Sequence, residues 1–526
     1  MKKAWVVHPF LLALWPVLFV YSQNVEQISL SQFWRPVLLL LGSTAAVLLL
    51  FFLLLKSAMR AGLLLSLFLF LFFSYGQTLR ILLSALGTDS ATSEPLVLMI
   101  IWIVVYLAGV ALFARVREGL NDGTKIANVV VTVLIMIPTI HIALYELKRP
   151  PLWSVEVSVE PIDIEQTRPV QPDALPDIYY IILDGYARAD VLADLYDLDN
   201  SGFIGFLEQK GFFVAQNSQA NYSQTALCMA SSLNMTYLDD LAARMGPASW
   251  DLRPLRNMIA DSTVIQFLKR QGYSIDAFRS GISMTDLSNA QDGSGETLPL
   301  DELAIGILGS TPIPWLVPKQ SDANLYASHA RTIRYILDHL ADTAQLPSPH
   351  FVFAHILVPH PPFMFDEGGQ TEIPDGEFKL DDGGGALSDG DRQEYREGYR
   401  AQVLFVNSRM KTVLDELISS LSRPSIIILQ SDHGPASLMD WDHPENSYFK
   451  ERMTILNAYL LPGGGAAGLY DEITPANTFR LIFDTYFGTD LGRLADRSYL
   501  SAWARPYEFI DITDEVRSGQ PAQIRD

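Results

Sequence analysis

Apolar residues are distributed in two ways along this chain. Up to about residue 146 they form long, nearly unbroken runs; after residue 177 they form short runs and helical stripes between polar segments. The long runs cover roughly residues 6–22, 36–55, 61–77, 96–114 and 127–145. A span needs about 17–25 apolar residues to cross the hydrocarbon core, so the pattern predicts five transmembrane helices. The second is the strongest, with no charge from Pro36 to Leu55. Lys2 and Lys3 give the first run the basic start of a signal peptide, but no small-x-small cleavage site follows it.

The charges between the runs orient them. Lys2, Lys3, Lys56, Arg60, Arg115, Arg117 and Lys125 lie on one side; the opposite loops hold Arg35 and Arg80 against Glu26, Asp89 and Glu94. The positive-inside rule puts the first group, and the N-terminus, in the cytoplasm. Five spans then place everything after residue 146 outside, whereas a run that is buried or re-entrant would leave four and reverse that. No acidic residue lies near the middle of a run, and His141 and Pro138 are the irregularities of the last. A transporter needs polar groups or broken helices at the midplane. This part therefore reads as a multi-pass anchor in the plasma (inner) membrane.

Prolines at 150, 151, 161, 169, 172 and 176 resist helix and central strand and mark residues 147–176 as a linker. The apolar run 178–183 ending in Asp184 and Gly185 then predicts a buried strand with its polar residue at the carboxyl end. Residues 425–430, followed by Ser431, Asp432, His433 and Gly434, repeat the pattern, as does 351–356 with His355 and His360. Helical stretches are expected near 201–210, 254–270, 325–341 and 390–420, the last with Tyr399, Val403, Val406 and Met410 on one stripe. Strands alternating with helices imply an α/β domain around a mostly parallel central sheet covered on both faces. The Gly/Asp-rich stretch 367–390 reads as a surface loop.

Charge sharpens the division. Residues 1–150 hold 11 Lys and Arg against 6 Asp and Glu, the remainder 27 against 53, for a net charge of -21. So acidic a polar part repels polyanions, which excludes nucleic acid as a partner. Cys228 is the single cysteine, so neither an intrachain disulfide nor a thiolate metal cluster forms. On an apolar helix it is expected to be packed.

Asp184, Asp432 and His433 each follow a strand expected to be buried. Ligand sites of open α/β sheets lie at that edge. Two carboxylates and an imidazole suit a divalent cation, Zn²⁺ or Mn²⁺ before Mg²⁺; the plainer alternative is that both motifs merely form turns. The segment 221–234 begins polar and becomes helical, which puts Ser223 or Thr225 at a helix start. Either can act there as an N-cap or, against a cation, as a nucleophile.

These segments resemble the sulfatase-like branch of the alkaline phosphatase superfamily. Together with five spans they resemble, more narrowly, the membrane phosphoglycerol and phosphoethanolamine transferases, including lipoteichoic acid synthase. The resemblance runs over about residues 175–510. It implies an alkaline-phosphatase-like catalytic domain over 177–510, after the transmembrane domain 1–146, and a C-terminal tail 511–526. Asp184, Asp432 and His433 match metal-ligand positions and Thr225 the nucleophile, with its oxygen also on the metal. His360 and His443 match substrate-side histidines. Thr225 cannot become formylglycine, and Cys228 lacks the following Pro and Arg of the maturation motif, so an ordinary sulfatase is disfavoured. One cation is expected, a second being less well supplied with ligands; His355 is as readily a core histidine as a functional one. The implied reaction moves a phospho-headgroup from a lipid or membrane-proximal phosphoester through a threonine intermediate. The alternatives are a phosphoesterase or sulfatase-like hydrolase using water, and a non-catalytic membrane structural or receptor protein. No obligate protein partner is expected. Arg188, four residues past Asp184, is a candidate for local positive charge or a solvated helix residue.

Overall fold

The computed structural model describes residues 3–25, 32–86, 94–116, 118–148, 175–287, 291–293, 302–316, 318–374, 378–380, 382, 387 and 389–519. The chain divides into two compact units, one of residues 1–150 and 299–322, the other of 151–298 and 323–526. The linker expected at 147–176 lies almost wholly outside the described residues.

The first unit carries α1 (His8–Gln23), α2 (Trp34–Leu55), α3 (Ala58–Leu86), α4 (Glu94–Arg115) and α5 (Leu120–Lys148). The five runs thus form five helices, but only α2 to α5 are long and apolar enough to cross a membrane among the described residues. The expected five-span count is corrected to four candidate spans. At 16 residues α1 is about 24 Å long, against a hydrocarbon core of about 30 Å. It is instead packed, with Leu12, Ala13, Val17 and Tyr21 buried in one cluster with Leu65 and Leu69 of α3. A segment far along the sequence joins this unit: the helix Glu302–Gly309 puts Leu303 and Ile307 into the same cluster. Residues 299–322 were expected within the catalytic domain and fall with the helices instead.

The second unit is built on β1 (Asp177–Leu183), β2 (Phe213–Val214), β3 (Ser274–Phe278), β4 (Gln291–Gly293), β5 (His350–Ile356), β6 (Ser425–Gln430) and β7 (Asn457–Leu460). They form one sheet in the order β2-β7-β6-β1-β5-β3-β4. β1 runs parallel to β5 and β6 on its two sides, and β7 is antiparallel to β6 and β2. Central β1 alternates between two cores: Ile178, Tyr180 and Ile182 in one, Tyr179, Ile181 and Leu183 in the other. That is why its sequence is apolar throughout rather than alternating. Asp177 staples the opposite edge, accepting from the Ser348 hydroxyl (2.8 Å) and the His350 N–H (3.2 Å).

The long helix Asp389–Ser420 buries Tyr399, Val403, Val406 and Met410 completely, the stripe expected from spacing. The stretch 254–270 breaks into Arg253–Ala260 and Thr263–Arg270, because Ser262 caps the second helix by accepting from the Ile265 N–H. The expected tail is structured through residue 519: β8 (Tyr499–Ala502) pairs with β9 (Arg505–Asp511), and the helix Thr513–Ser518 buries Val516.

Candidate active site

The parallel register brings the carboxyl ends of β1, β5 and β6 side by side. Ile182 stands opposite His355 and Gln430, so the residues just beyond these strands meet at one edge. Gly185 makes the first turn possible. Its φ is +75°, and a Cβ there would lie 3.5 Å from the His360 Cα, so the β1 turn and the His360 loop pack backbone to backbone. The Gly185 N–H donates to Asp432 Oδ1 at 3.2 Å, and the His360 N–H donates to the Asp184 carbonyl at 3.0 Å. Gly434 is required for a different reason: a Cβ would stand 2.1 Å from the Glu451 carbonyl oxygen.

Thr225 is the first residue of the helix Thr225–Asn234. The cap position belongs to Gln224, whose side chain makes no capping bond. Ser223 donates instead to the Ser501 carbonyl (3.2 Å), so neither hydroxyl is the expected N-cap. Thr225 Oγ1 lies 2.9 Å from His433 Nε2. His433 Nδ1 is 3.0 Å from the Gly434 carbonyl; an N–H there leaves the Nε2 lone pair facing the threonine. Asp432 Oδ2 is 3.2 Å and Asp184 Oδ1 3.7 Å from the same nitrogen. Four of the six expected site residues therefore converge.

Asp184 Oδ1 and Asp432 Oδ2 are buried without a hydrogen-bond donor. Orphaned carboxylate oxygens in a dry site are costly. One ligand atom from each of Asp184, Asp432 and His433 lies within 4.8 Å of the others. That donor set, with the Thr225 hydroxyl beside it, fits one divalent cation. The two carboxylates repel, and they split. Burial opposes ionisation of Asp184, but His360, the His355 hydrogen bond and His433 outweigh it and hold its carboxyl well below the usual range. Burial and then the Asp184 charge push Asp432 up. Burial, helped by the Arg452 charge, pulls His433 well down, which keeps its ring neutral.

Several contributors were not among the expected site residues. His355 is fully buried, with Nε2 3.1 Å from Asp184 Oδ2 and Nδ1 2.9 Å from the Thr285 hydroxyl; it orients Asp184 rather than merely filling the core. Arg452 is buried too. It donates through Nε to the Ser223 carbonyl (2.9 Å), through its guanidinium to the Gly434 carbonyl (2.8 Å), and pairs with Asp382; one terminal nitrogen is 3.1 Å from His433 Nε2. Arg452 follows Lys450 and Glu451 directly in the sequence, so its neighbours gave no sign that it is buried and paired. Asp382, fully buried, corrects the expectation that 367–390 is all surface loop.

The remaining expectations divide. His360 sits at the site, nearly buried, with its ring centre 6.3 Å from that of His433 and Nδ1 2.5 Å from the Pro361 carbonyl. His443 does not join it. Its side chain is 67% exposed and faces Glu445 at 3.4 Å. Arg188 is spent on Asp190 (2.7 Å) and the Ser218 carbonyl (3.2 Å). Cys228 is packed as expected, its Sγ 2.9 Å from the Tyr222 carbonyl, and burial pushes its thiol up.

The sulfatase family model matches residues 176–454, from the start of β1 through Asp432, His433 and Arg452. The chain belongs to the sulfatase family. None of the curated proteins matches it. Among solved structures, this sulfatase-family chain is similar to the C-terminal periplasmic domain of EcEptC from Escherichia coli in complex with Zn. Identity is 12%, coverage 66% of this chain and 94% of that one, and the TM-score 0.39. The phosphonate monoester hydrolase of Agrobacterium radiobacter gives 13%, 62%, 80% and 0.37. The C-terminal periplasmic domain of phosphoethanolamine transferase EptC from Campylobacter jejuni gives 13%, 59%, 88% and 0.34.

Proposed function

We propose that this sulfatase-family protein is a membrane-anchored transferase that moves a phospho-headgroup, of the phosphoglycerol or phosphoethanolamine type, from a lipid donor by way of Thr225. The observation that carries the reading is the Thr225 hydroxyl, hydrogen-bonded to a neutral histidine and set beside two orphaned carboxylate oxygens. Asp184, Asp432, His433 and Thr225 would hold one divalent cation, Zn²⁺ or Mn²⁺, whose chemistry is to lower the threonine pKa and to offset charge on the phosphoryl oxygens.

The chain's own groups do the rest. Thr225 gives up its proton to solvent and its oxygen bonds to phosphorus; the bond from phosphorus to the lipid oxygen breaks, and diacylglycerol leaves with a proton. His360 supplies that proton. A hydroxyl acceptor then attacks phosphorus and passes its proton back to His360, and Thr225 leaves and regains a proton from solvent, which restores the site. Arg452 braces His433, and His355 braces Asp184. Lys56, Arg60, Arg115 and Lys125 lie at the ends of α2–α5 opposite to the end that carries residue 148; against the reversal expected for four spans, this supports an extracytoplasmic second unit whichever way α1 lies.

The test is lipid mass spectrometry on the purified full chain with defined phospholipids. Release of diacylglycerol that Thr225→Ala abolishes is expected. Undiminished lipid turnover in T225A would end the role of Thr225. Turnover of nitrophenyl esters without lipid would favour the hydrolase reading, and absence of any bound transition metal would favour a non-catalytic one.

A further inference from the structure

The first unit contains a cavity of about 180 Å³ between the middle parts of α3 and α4. Phe68, Phe72 and Tyr75 of α3 line one side, Trp102 and Tyr106 of α4 the other, and Pro312 a third. Rigid rings hold the two helices apart: Phe68 meets Tyr106 edge-on with centroids 6.0 Å apart, and Phe68 stacks on Phe72 at 5.4 Å. Two polar groups of the wall are already used. The Tyr75 hydroxyl donates to the Pro95 carbonyl (2.5 Å) and the Trp102 indole N–H to the Leu71 carbonyl (2.8 Å).

Pro312 comes from the late segment that joins this unit. Its Ser310 carbonyl accepts from the Gly76 N–H at 2.9 Å, and a Cβ on Gly76 would stand 2.1 Å from the Gly309 carbonyl oxygen. The segment therefore reaches the middle of α3, where only glycine admits it, and closes one flank of the cavity. The opposite flank continues into the apolar surface of α4, where Ile100, Ile103 and Leu107 are exposed.

We propose that this cavity holds one acyl chain of a bilayer phospholipid. Water gains nothing there, because it needs two to four polar partners. The volume exceeds the roughly 150 Å³ apolar cavity known to take benzene. From Phe68 to Tyr75 the wall runs about 10 Å along the helix axis, a slot rather than a sphere, and its open flank faces the hydrocarbon of the membrane. The inference does not depend on which reaction the second unit performs.

The test uses the full chain in nanodiscs containing phosphatidylcholine with a photoreactive diazirine on one acyl chain, with adducts mapped by peptide mass spectrometry. Adducts concentrated on 68–75 and 99–107 are expected. Met99→Trp, which fills the cavity from α4, lowers them at least fivefold; Val97→Trp, on the exposed face of the same helix, leaves them unchanged. Equal labelling of the exposed faces of α2 and α5, or M99W labelling like the wild type, overturns the proposal. If M99W does not fold, the wild-type adduct map alone decides.

Discussion

Replacing Arg452 with Met tests whether the buried ion pair holds the site together. Arg452 is one of the largest fully buried side chains among the described residues, and its partner Asp382 is fully buried as well. Among the described residues, loss of the guanidinium leaves that carboxylate with the Tyr395 hydroxyl (2.7 Å) as a side-chain donor. It also strips a donor from the Ser223 and Gly434 carbonyls. Breaking a buried pair by removing one partner costs about 3–5 kcal/mol, most of it the uncompensated charge. Making Asp382 neutral in the same background removes that charge, and Asn at 382 can still accept from Tyr395. The double variant R452M/D382N is therefore expected to recover at least about 2 kcal/mol of the loss, within the range seen for groups in one network. Trp441 reports the event locally: its indole N–H is 3.3 Å from the Asp382 carbonyl, and Arg452 lies 5.4 Å from its ring. The assay is guanidinium unfolding of the detergent-solubilised chain, followed by tryptophan fluorescence. If R452M unfolds within about 1 kcal/mol of the wild type, or the double variant is no better than the single, the charge argument fails; 1 kcal/mol is well below the cost of an unpaired buried charge.

Three further outcomes are expected. Gly434→Ala drives a Cβ into the Glu451 carbonyl, where backbone cannot yield; a loss of about 1–3 kcal/mol together with weaker metal binding is expected, and calorimetric titration that finds wild-type affinity would refute it. His355→Gln loses the bond that orients Asp184, and divalent-metal affinity should fall about 10–100-fold, read by competition with a chelating dye. Asp432 is pushed up to about 6, and the cation competes with its proton. Metal affinity should therefore be full above that value and fall as pH drops through it; titrations between pH 5 and 8 that show no proton release would contradict the assignment.

Much of this molecule was legible in the chain alone. Long apolar runs become helices wherever they lie, because an unbroken apolar surface must leave water. Buried parallel strands announce themselves the same way: β1, β5 and β6 and the polar residues at their ends were placed from composition, which is how Asp184, Asp432 and His433 were grouped; Thr225 came instead from the polar start of a helix, with Ser223 as the alternative, and from the family resemblance. What the chain did not reveal depends on distance through space. The length of α1 fell short of a span once its ends were defined. Glu302–Gly309 is a short apolar stretch whose packing partners in α1 and α3 its sequence does not name. Asp382 looks like loop and Arg452 like a surface charge, because neither identity shows that the other waits some 70 residues away to neutralise it. His443 is at a plausible sequence spacing, but spacing sets contour length and not direction, and the turn turns it to solvent. Local sequence fixes which groups must be buried or paired. Only the tertiary fold decides which distant partner completes each pair, since burying a charge is affordable solely where the opposite charge arrives with it.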